Sequence, residues 1–498
     1  MSPTPPNDQP EVSTAVPPET IIQTHHTITL NGQELAYTAT TGALTLMEEI
    51  EKEDKSEGEK ARATIYFVAY TKDGAEPGQA EPGQRPITFA FNGGPGSSSV
   101  WLHLGLLGPK RVLTEADGSP TPPPYRLVDN EYSLLDKSDL VFIDPVSTGF
   151  SRVVPGEKPK EFHGFKKDIA SVGDFIRLYT TRYGRWLSPK FLAGESYGTT
   201  RAAGLSGYLQ ERHGMYLNGI FLISSILNFQ TAYFKPGNDL PYALFLPTYA
   251  ATAWFHGRLA PKLQANLTHT LAEVEEFALG EYTLALMQGA ALSAENRTAV
   301  AQKLARYTGL TTEYIERTDL RINIHRFCKE LLRDQGRTTG RLDSRFTGVD
   351  RDSAGETNEF DPSYAAIQGP YTATLNDYVR RELQFESDLP YEILTGRVQP
   401  WDYGDHQNAF VDVAETLRTA ISYNPHLKVF IANGYYDLAT PYLATRYTVN
   451  HLGLTADLYA NIHLTFYEAG HMMYLHRPSL AQLKLDMAEW LETAVSRP

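Results

Sequence analysis

The sequence predicts an α/β protein whose mainly parallel central sheet is flanked by helices. From residue 86 onward, short apolar runs typical of buried strands alternate with amphipathic stretches typical of helices. The apolar runs lie at 87–91, 140–143, 191–193 and 220–226, and one helix between them has Ile169, Val172, Ile176 and Tyr179 on a common face. Upstream, residues 34–46 and 61–70 alternate as strands around a charged segment, which predicts an antiparallel hairpin at the sheet edge.

The alternation of strands and helices stops between residues 228 and 407. Helical periodicity dominates there, at 271–287, 295–307, 324–333 and 371–384. We therefore expect residues 26–227 and 408–498 to form the α/β core, and residues 228–407 to form an inserted helical cap over a substrate cleft. A separate binding or regulatory domain is the alternative. Residues 1–25 include a stretch rich in proline, serine and threonine and are expected to form a disordered tail.

A sharp turn with serine at its apex is predicted at residues 194–198, Gly-Glu-Ser-Tyr-Gly. An apolar run precedes this pentapeptide and a helix-compatible stretch follows it. Its two glycines allow a turn so tight that a β-carbon at either position would obstruct it. Ser196 would therefore be exposed at the end of the strand. A serine hydroxyl becomes an effective nucleophile when a histidine takes its proton and a carboxylate orients that histidine.

A suitable acid and a suitable histidine follow two later strands. Asp437 lies on the loop after the apolar run 427–432, and His471 lies on the loop after the run 464–467. Because parallel strands end at one edge of a sheet, we expect both side chains to lie near Ser196. The order serine, acid, histidine along the chain is that of the α/β-hydrolase fold.

The sequence Asn-Gly-Gly-Pro-Gly at residues 92–96 directly follows a predicted strand. In isolation it would indicate a turn. Here it lies about a hundred residues before the serine, where such hydrolases supply one amide of the oxyanion hole. The pattern therefore predicts that the N–H groups of Gly94 and Tyr197 stabilise a developing oxyanion.

Several motifs together resemble the serine carboxypeptidase family of α/β-hydrolases, peptidase family S10, in its bacterial-type form. They are Asn92 to Gly96, Asp144-Pro145-Val146 with Thr148 to Ser151, Gly194 to Gly198, Asn433-Gly434 with Asp437, and Gly470-His471-Met472. The resemblance implies removal of single residues from peptide C termini through an acyl-enzyme intermediate. The alternative hypothesis for the function is an esterase or acyltransferase that uses the same triad. A third hypothesis is a non-catalytic binding protein.

The resemblance also implies roles for residues around the serine. Asn92 and Glu195 would bind the terminal carboxylate of the substrate, and Met472 would line the leaving-group side. A carboxylate bound beside Glu195 needs a shared proton, so peptide cleavage is expected to favour acidic pH. Ala90 and Leu106 replace a tryptophan and an acid usual in the family, which predicts weaker carboxylate recognition.

Composition narrows the partners further. A net charge of −14 argues against nucleic acid as a partner. Peptides are the substrates that the family resemblance implies. The single cysteine, Cys328, excludes an intrachain disulfide. No metal-ligand spacing or phosphate-binding loop stands out, so neither a metal nor another cofactor is expected.

Location and assembly are less constrained. No apolar run reaches the length of a membrane span, and the chain as given indicates a cytoplasmic protein. A periplasmic or secreted protein would follow if a signal peptide had been removed. The oligomeric state stays open, with a homodimer as one option.

Overall fold

The computed structural model describes residues 18–74, 84–406 and 409–495. Its strands are β1 (Ile21–Leu30), β2 (Gln33–Lys52), β3 (Lys55–Lys72), β4 (Ile87–Phe91), β5 (Lys110–Val112), β6 (Leu127–Asp129), β7 (Asp139–Ile143), β8 (Arg152–Val153), β9 (Lys190–Glu195), β10 (Gly219–Ile223), β11 (Thr338–Thr339), β12 (Thr347–Gly348), β13 (Lys428–Gly434) and β14 (Ile462–Tyr467). Its helices are α1 (Val100–Leu102), α2 (Phe165–Arg182), α3 (Tyr197–His213), α4 (Leu240–Phe255), α5 (Pro261–Gln264), α6 (Leu267–Phe277), α7 (Thr283–Gln288), α8 (Ala294–Thr308), α9 (Thr312–Arg317), α10 (Ile324–Glu330), α11 (Pro362–Arg381), α12 (Ala414–Tyr423), α13 (Tyr442–Asn450), α14 (Ala456–Tyr459) and α15 (Arg477–Val495).

One large sheet runs through the middle of the described chain, in the order β1-β2-β3-β7-β4-β9-β10-β13-β14. Strands β7, β4, β9, β10, β13 and β14 pair in parallel, whereas β1, β2 and β3 form an antiparallel edge. Helices cover both faces of this sheet. The predicted mainly parallel sheet with flanking helices is therefore confirmed.

The two faces of the sheet bury separate apolar clusters. Because successive strand residues point to opposite faces, Ala193 packs on one side and its neighbour Leu192 on the other. The first side is closed by α15 and α11, and the second by α2, α3 and α12. Strands buried on both faces explain why the sequence reads as continuous apolar runs at these positions.

The antiparallel edge extends further than the apolar pattern predicts. Strands β2 and β3 continue through the charged segment, where Glu48 pairs with Lys60 and Glu49 with Glu59. Backbone pairing continues there without burial, so apolar alternation cannot reveal it. Strand β1 begins at Ile21, inside the range 1–25 assigned to the tail, because Ile28 and Leu30 are buried against the sheet. Residues 1–17 of the predicted tail lie outside the described residues.

The insertion between β10 and β13 is mainly helical. Helices α4, α6, α8 and α10 share a third apolar cluster, which also includes Tyr436 and Leu443 of the core. Helix α11 differs, because its Tyr371, Leu375 and Tyr378 pack into the cluster beneath the sheet. The cap boundaries at 228 and 407 stay a prediction, and residue 407 lies outside the described residues. None of the described helices is both long and apolar enough to cross a lipid bilayer.

Candidate active site

Ser196 occupies the turn between β9, which ends at Glu195, and α3, which begins at Tyr197. Its backbone angles are φ 59° and ψ −129°, a strained region for a residue with a β-carbon. The turn is fixed on both sides, since Ser196 N–H donates to Ile223 O at 3.0 Å and Thr199 N–H donates to Ser196 O at 2.8 Å. The predicted strand, sharp turn and helix are present.

The glycines around the turn are required by close backbone contacts. A β-carbon on Gly194 would collide with Gly198 O, and one on Gly198 would lie 2.8 Å from Phe91 O. A β-carbon on Gly93 would collide with the backbone nitrogen of Tyr197. The loop after β4 and the serine turn therefore interlock, which brings Gly94 next to the start of α3.

Asp437 and His471 form a buried pair after β13 and β14. Nδ1 of His471 lies 2.7 Å from Oδ2 of Asp437. The carboxylate also accepts hydrogen bonds from the backbone N–H groups of Ala439 at 2.7 Å and Thr440 at 3.0 Å. Burial alone would lower the pKa of His471, but the charge and hydrogen bond of Asp437 outweigh it and raise that pKa. Nε2 is left as the proton-accepting atom of the neutral ring.

A short segment of the insertion holds both of these loops. His471 N–H donates to Leu342 O at 2.7 Å, and Leu438 N–H donates to Arg341 O at 3.0 Å. Ser344 N–H donates in turn to Tyr436 O at 3.0 Å. The insertion thus positions the acid and the histidine by backbone bonds, which no sequence motif indicated.

A cavity of about 210 Å³ opens over Ser196 and His471. Of the residues predicted for the site, those lining it are Asn92, Gly94, Glu195, Ser196, His471 and Met472. Its further walls include Trp101, Arg341, Leu342, Tyr364, Ile367 and Leu394. The structure therefore brings the predicted residues together around one space.

Two predicted residues lie behind the cavity wall. Asp437 is fully buried and reaches the cavity through His471. The ring of Tyr197 packs edge-to-face on Trp401, with 5.6 Å between centroids. The Tyr197 N–H lies at the first position of α3, where a backbone donor has no partner within the helix.

Glu195 is a buried carboxyl group beside the serine. It is 3% exposed, and Tyr474 Oη donates a hydrogen bond to its Oε2 at 2.6 Å. Burial raises the pKa of Glu195 to about 7, although His471 and the Tyr474 hydrogen bond both oppose that rise. Tyr474 was not predicted as a site residue. Its position three residues after His471 is the signal in the sequence that could have pointed to it.

Asn92 has an unused donor in the same place. Its Oδ1 accepts the Leu102 N–H at 3.0 Å. Its Nδ2 is buried and forms no hydrogen bond of good geometry with another described residue. The Asn92 amide nevertheless lies near the Glu195 carboxyl group and favours its charged form. An unsatisfied buried amide is costly, which is consistent with a site for a polar ligand group. Among the described residues, no group of three or more histidine, cysteine, aspartate or glutamate side chains is placed to hold a metal ion.

The mainly parallel sheet, the serine turn after β9 and the acid and histidine after β13 and β14 define an α/β-hydrolase. The family model for serine carboxypeptidases matches residues 56–463. The chain belongs to the serine carboxypeptidase family.

Individual relatives match over shorter stretches. Pheromone-processing carboxypeptidase KEX1 of Saccharomyces cerevisiae is 33% identical over 155 residues, which are 30% of this chain and 20% of that protein. Serine carboxypeptidase-like 46 of Arabidopsis thaliana is 24% identical over 180 residues, 34% of this chain and 35% of that protein. Among solved structures, proline iminopeptidase of Mycobacterium smegmatis is 14% identical with a TM-score of 0.35, covering 90% of this chain and 98% of that chain.

Proposed function

We propose that this protein is a serine carboxypeptidase that hydrolyses the C-terminal bond of peptides through an acyl-enzyme intermediate. The observation that carries this proposal is the position of Glu195 and the unused Asn92 Nδ2 beside Ser196 in one cavity. An ester-hydrolysing site would not need a buried acid next to its nucleophile. A carboxypeptidase needs a group beside its nucleophile that recognises the free carboxylate of the substrate.

In the proposed reaction, Ser196 Oγ attacks the last peptide carbonyl while His471 Nε2 takes its proton. Asp437 holds the imidazole through Nδ1 and stabilises the imidazolium that forms. The backbone N–H groups of Gly94 and Tyr197 stabilise the oxyanion, and each such donor is typically worth about 3 kcal/mol. His471 then protonates the departing amino acid beside Met472 and later activates the water that releases the peptide.

The proposed carboxylate site explains an acidic preference. With a pKa of about 7, Glu195 is protonated below neutrality and can donate a hydrogen bond to the substrate carboxylate, beside Asn92 Nδ2. Above neutrality two negative charges would face each other, so the peptide would bind less tightly. A neutral His471 is needed for attack, so activity should also fall at low pH.

The test is product analysis of an N-blocked dipeptide and its C-terminal amide, from roughly pH 4 to 8, a range that spans carboxyl and imidazole titration. We expect the free dipeptide to be cleaved much faster than the amide, with the largest ratio below neutrality. Equal rates on both substrates at every pH would contradict the proposal.

An esterase or acyltransferase on the same triad is the alternative. Leu106 favours it, because this residue is buried in the apolar cluster where the resemblance implies an acid that supports the carboxylate site. Rapid hydrolysis of simple esters, with no gain from a free carboxylate, would support this alternative. Failure of a fluorophosphonate to modify Ser196 would indicate the non-catalytic reading instead.

A further inference from the structure

Arg341 brings a positive charge to the wall of the active-site cavity. Of the described residues that line this cavity, no other is a lysine or an arginine. The Arg341 side chain is exposed, and no carboxylate of the described residues forms an ion pair with it. Its guanidinium therefore has no ion-pair partner among the described residues.

An acid does contact Arg341, but through the backbone. Asp361 Oδ1 accepts the Arg341 N–H at 3.1 Å, and Asp361 Oδ2 accepts the Leu342 N–H at 3.3 Å. Oδ1 also accepts the Ser363 N–H at 2.9 Å as the N-cap of α11. Both carboxylate oxygens are engaged by backbone donors, so Asp361 fixes the segment, and no ion pair joins it to the Arg341 guanidinium.

The position of Arg341 relative to the catalytic loops is also fixed. Its carbonyl accepts the Leu438 N–H, and the carbonyl of the next residue, Leu342, accepts the His471 N–H. The charge of Arg341 acts on His471: with burial, which is the larger influence, it opposes the rise in the His471 pKa that Asp437 causes. Arg341 therefore lies within electrostatic reach of the reacting groups.

The cavity walls around Arg341 favour the binding of a negatively charged group of the substrate. Trp101, Tyr364, Ile367 and Leu394 give the cavity mainly apolar walls. A charge beside such walls attracts an opposite charge more strongly than it does in bulk water. The planar guanidinium matches a carboxylate with two parallel hydrogen bonds.

We propose that Arg341 selects peptides that carry an aspartate or glutamate side chain next to the scissile bond. The proposal rests on the carboxypeptidase function proposed above and names the substrate class of that site. The side-chain carboxylate pairs with the Arg341 guanidinium, while the terminal carboxylate occupies the site formed by Asn92 and Glu195. Arg341 thus acts as a specificity residue and takes no part in the chemical steps.

The test uses two pairs of N-blocked dipeptides that differ by one charge. In the first pair, glutamate or glutamine precedes the scissile bond and leucine follows it. In the second pair, leucine precedes the bond and glutamate or glutamine follows it. The wild type, Arg341→Gln and Arg341→Lys are compared by kcat/KM, and Arg317→Gln, which removes a charge from the exposed surface of α9, is the control.

In the wild type we expect glutamate to be preferred over glutamine by roughly five-fold in one of the pairs, the size of a partly exposed ion pair. The pair that responds identifies the side of the bond. Arg341→Gln should remove the preference, Arg341→Lys should retain part of it, and Arg317→Gln should leave it unchanged. Added salt should reduce it, because exposed charges are screened. Circular dichroism spectra and thermal unfolding should be the same in all variants, which shows that each is folded.

Three results would overturn the proposal. A glutamate-to-glutamine ratio that is the same in wild type and Arg341→Gln excludes side-chain recognition, while cleavage of the neutral dipeptides leaves the carboxypeptidase function intact. A loss in Arg341→Gln that is equal for all free dipeptides and absent for their amides shows that Arg341 binds the terminal carboxylate instead. If no dipeptide is cleaved although Ser196 is labelled, the carboxypeptidase function fails and this inference fails with it.

Discussion

Tyr474 and Glu195 are joined by a buried hydrogen bond of 2.6 Å in which the phenol donates to the carboxyl group. The bond favours the charged form of Glu195 and so limits the rise in pKa that burial causes. In the proposed reaction, this pair sets the pH above which a substrate carboxylate is repelled. The arrangement links one tyrosine to the pH range of peptide cleavage.

Tyr474→Phe should therefore raise the pKa of Glu195 above about 7. The acid then stays protonated to higher pH, so the alkaline decline of kcat/KM on free peptides should move to higher pH. Ester hydrolysis should keep its profile, because esters do not use the carboxylate site. The measurement is kcat/KM against pH for one peptide and one ester. Tyr378→Phe, which removes another buried phenol hydroxyl from the same apolar cluster, is the matched control. An alkaline limb that stays in place in Tyr474→Phe would contradict the assigned role.

Replacing Ser196 by alanine should abolish turnover while the fold is retained. Loss of the nucleophile of such a triad typically lowers kcat by about 10⁶-fold. Steady-state assays on peptide and ester measure the loss, and circular dichroism checks the fold. Residual turnover close to that of the wild type would mean that another group attacks the substrate.

Asp437→Asn should lower kcat by roughly 10⁴-fold, because the amide can hold His471 in the wrong tautomer. The charge of Asp437 is also the main cause that raises the pKa of His471 against burial. Without it, the low-pH decline of the remaining activity should move to more acidic pH. The pH dependence of kcat checks this shift, and an unmoved acidic limb would show that Asp437 does not control the charge of His471.

Ionisation of the buried Glu195 should lower the free energy of unfolding at high pH. Burial raises the pKa of Glu195 in the folded protein to about 7, above the 4.5 of a free glutamate, so the folded state holds the proton more tightly. The tighter proton binding stabilises the folded state fully below the pKa that Glu195 has in the unfolded chain. This stabilisation is lost as pH rises through about 7, which lowers the free energy of unfolding by on the order of 3 kcal/mol.

Glu195→Gln removes that titration. Relative to the wild type, its free energy of unfolding should rise between about pH 5 and about pH 8. Urea unfolding at both pH values measures the difference, and Glu415→Gln, on the exposed surface of α12, serves as control. A constant difference between Glu195→Gln and wild type would show that Glu195 has an ordinary pKa in the folded protein.

The sequence revealed the parts of the site that are encoded locally. The position of Ser196 on a sharp turn was predictable because a strand, two glycines and a helix are contiguous, and the positions of His471 and Asp437 because each follows an apolar strand. Arg341 and Leu342 were not predictable, since their contacts with the catalytic loops join residues about a hundred positions or more apart, and loop segments carry no periodic signal. The packing of α11 against the sheet was not predicted either, because the apolar face of a helix does not reveal which surface it packs against.

The backbone bonds from Leu342 to His471 and from Arg341 to Leu438 limit how far this enzyme can be trimmed. Excising the helical insertion to obtain a minimal hydrolase would remove two acceptors that hold the loops of Asp437 and His471. Any shortened version would have to keep residues 341–344 as a bridge, together with Asp361, whose carboxylate accepts the N–H groups of Arg341 and Leu342.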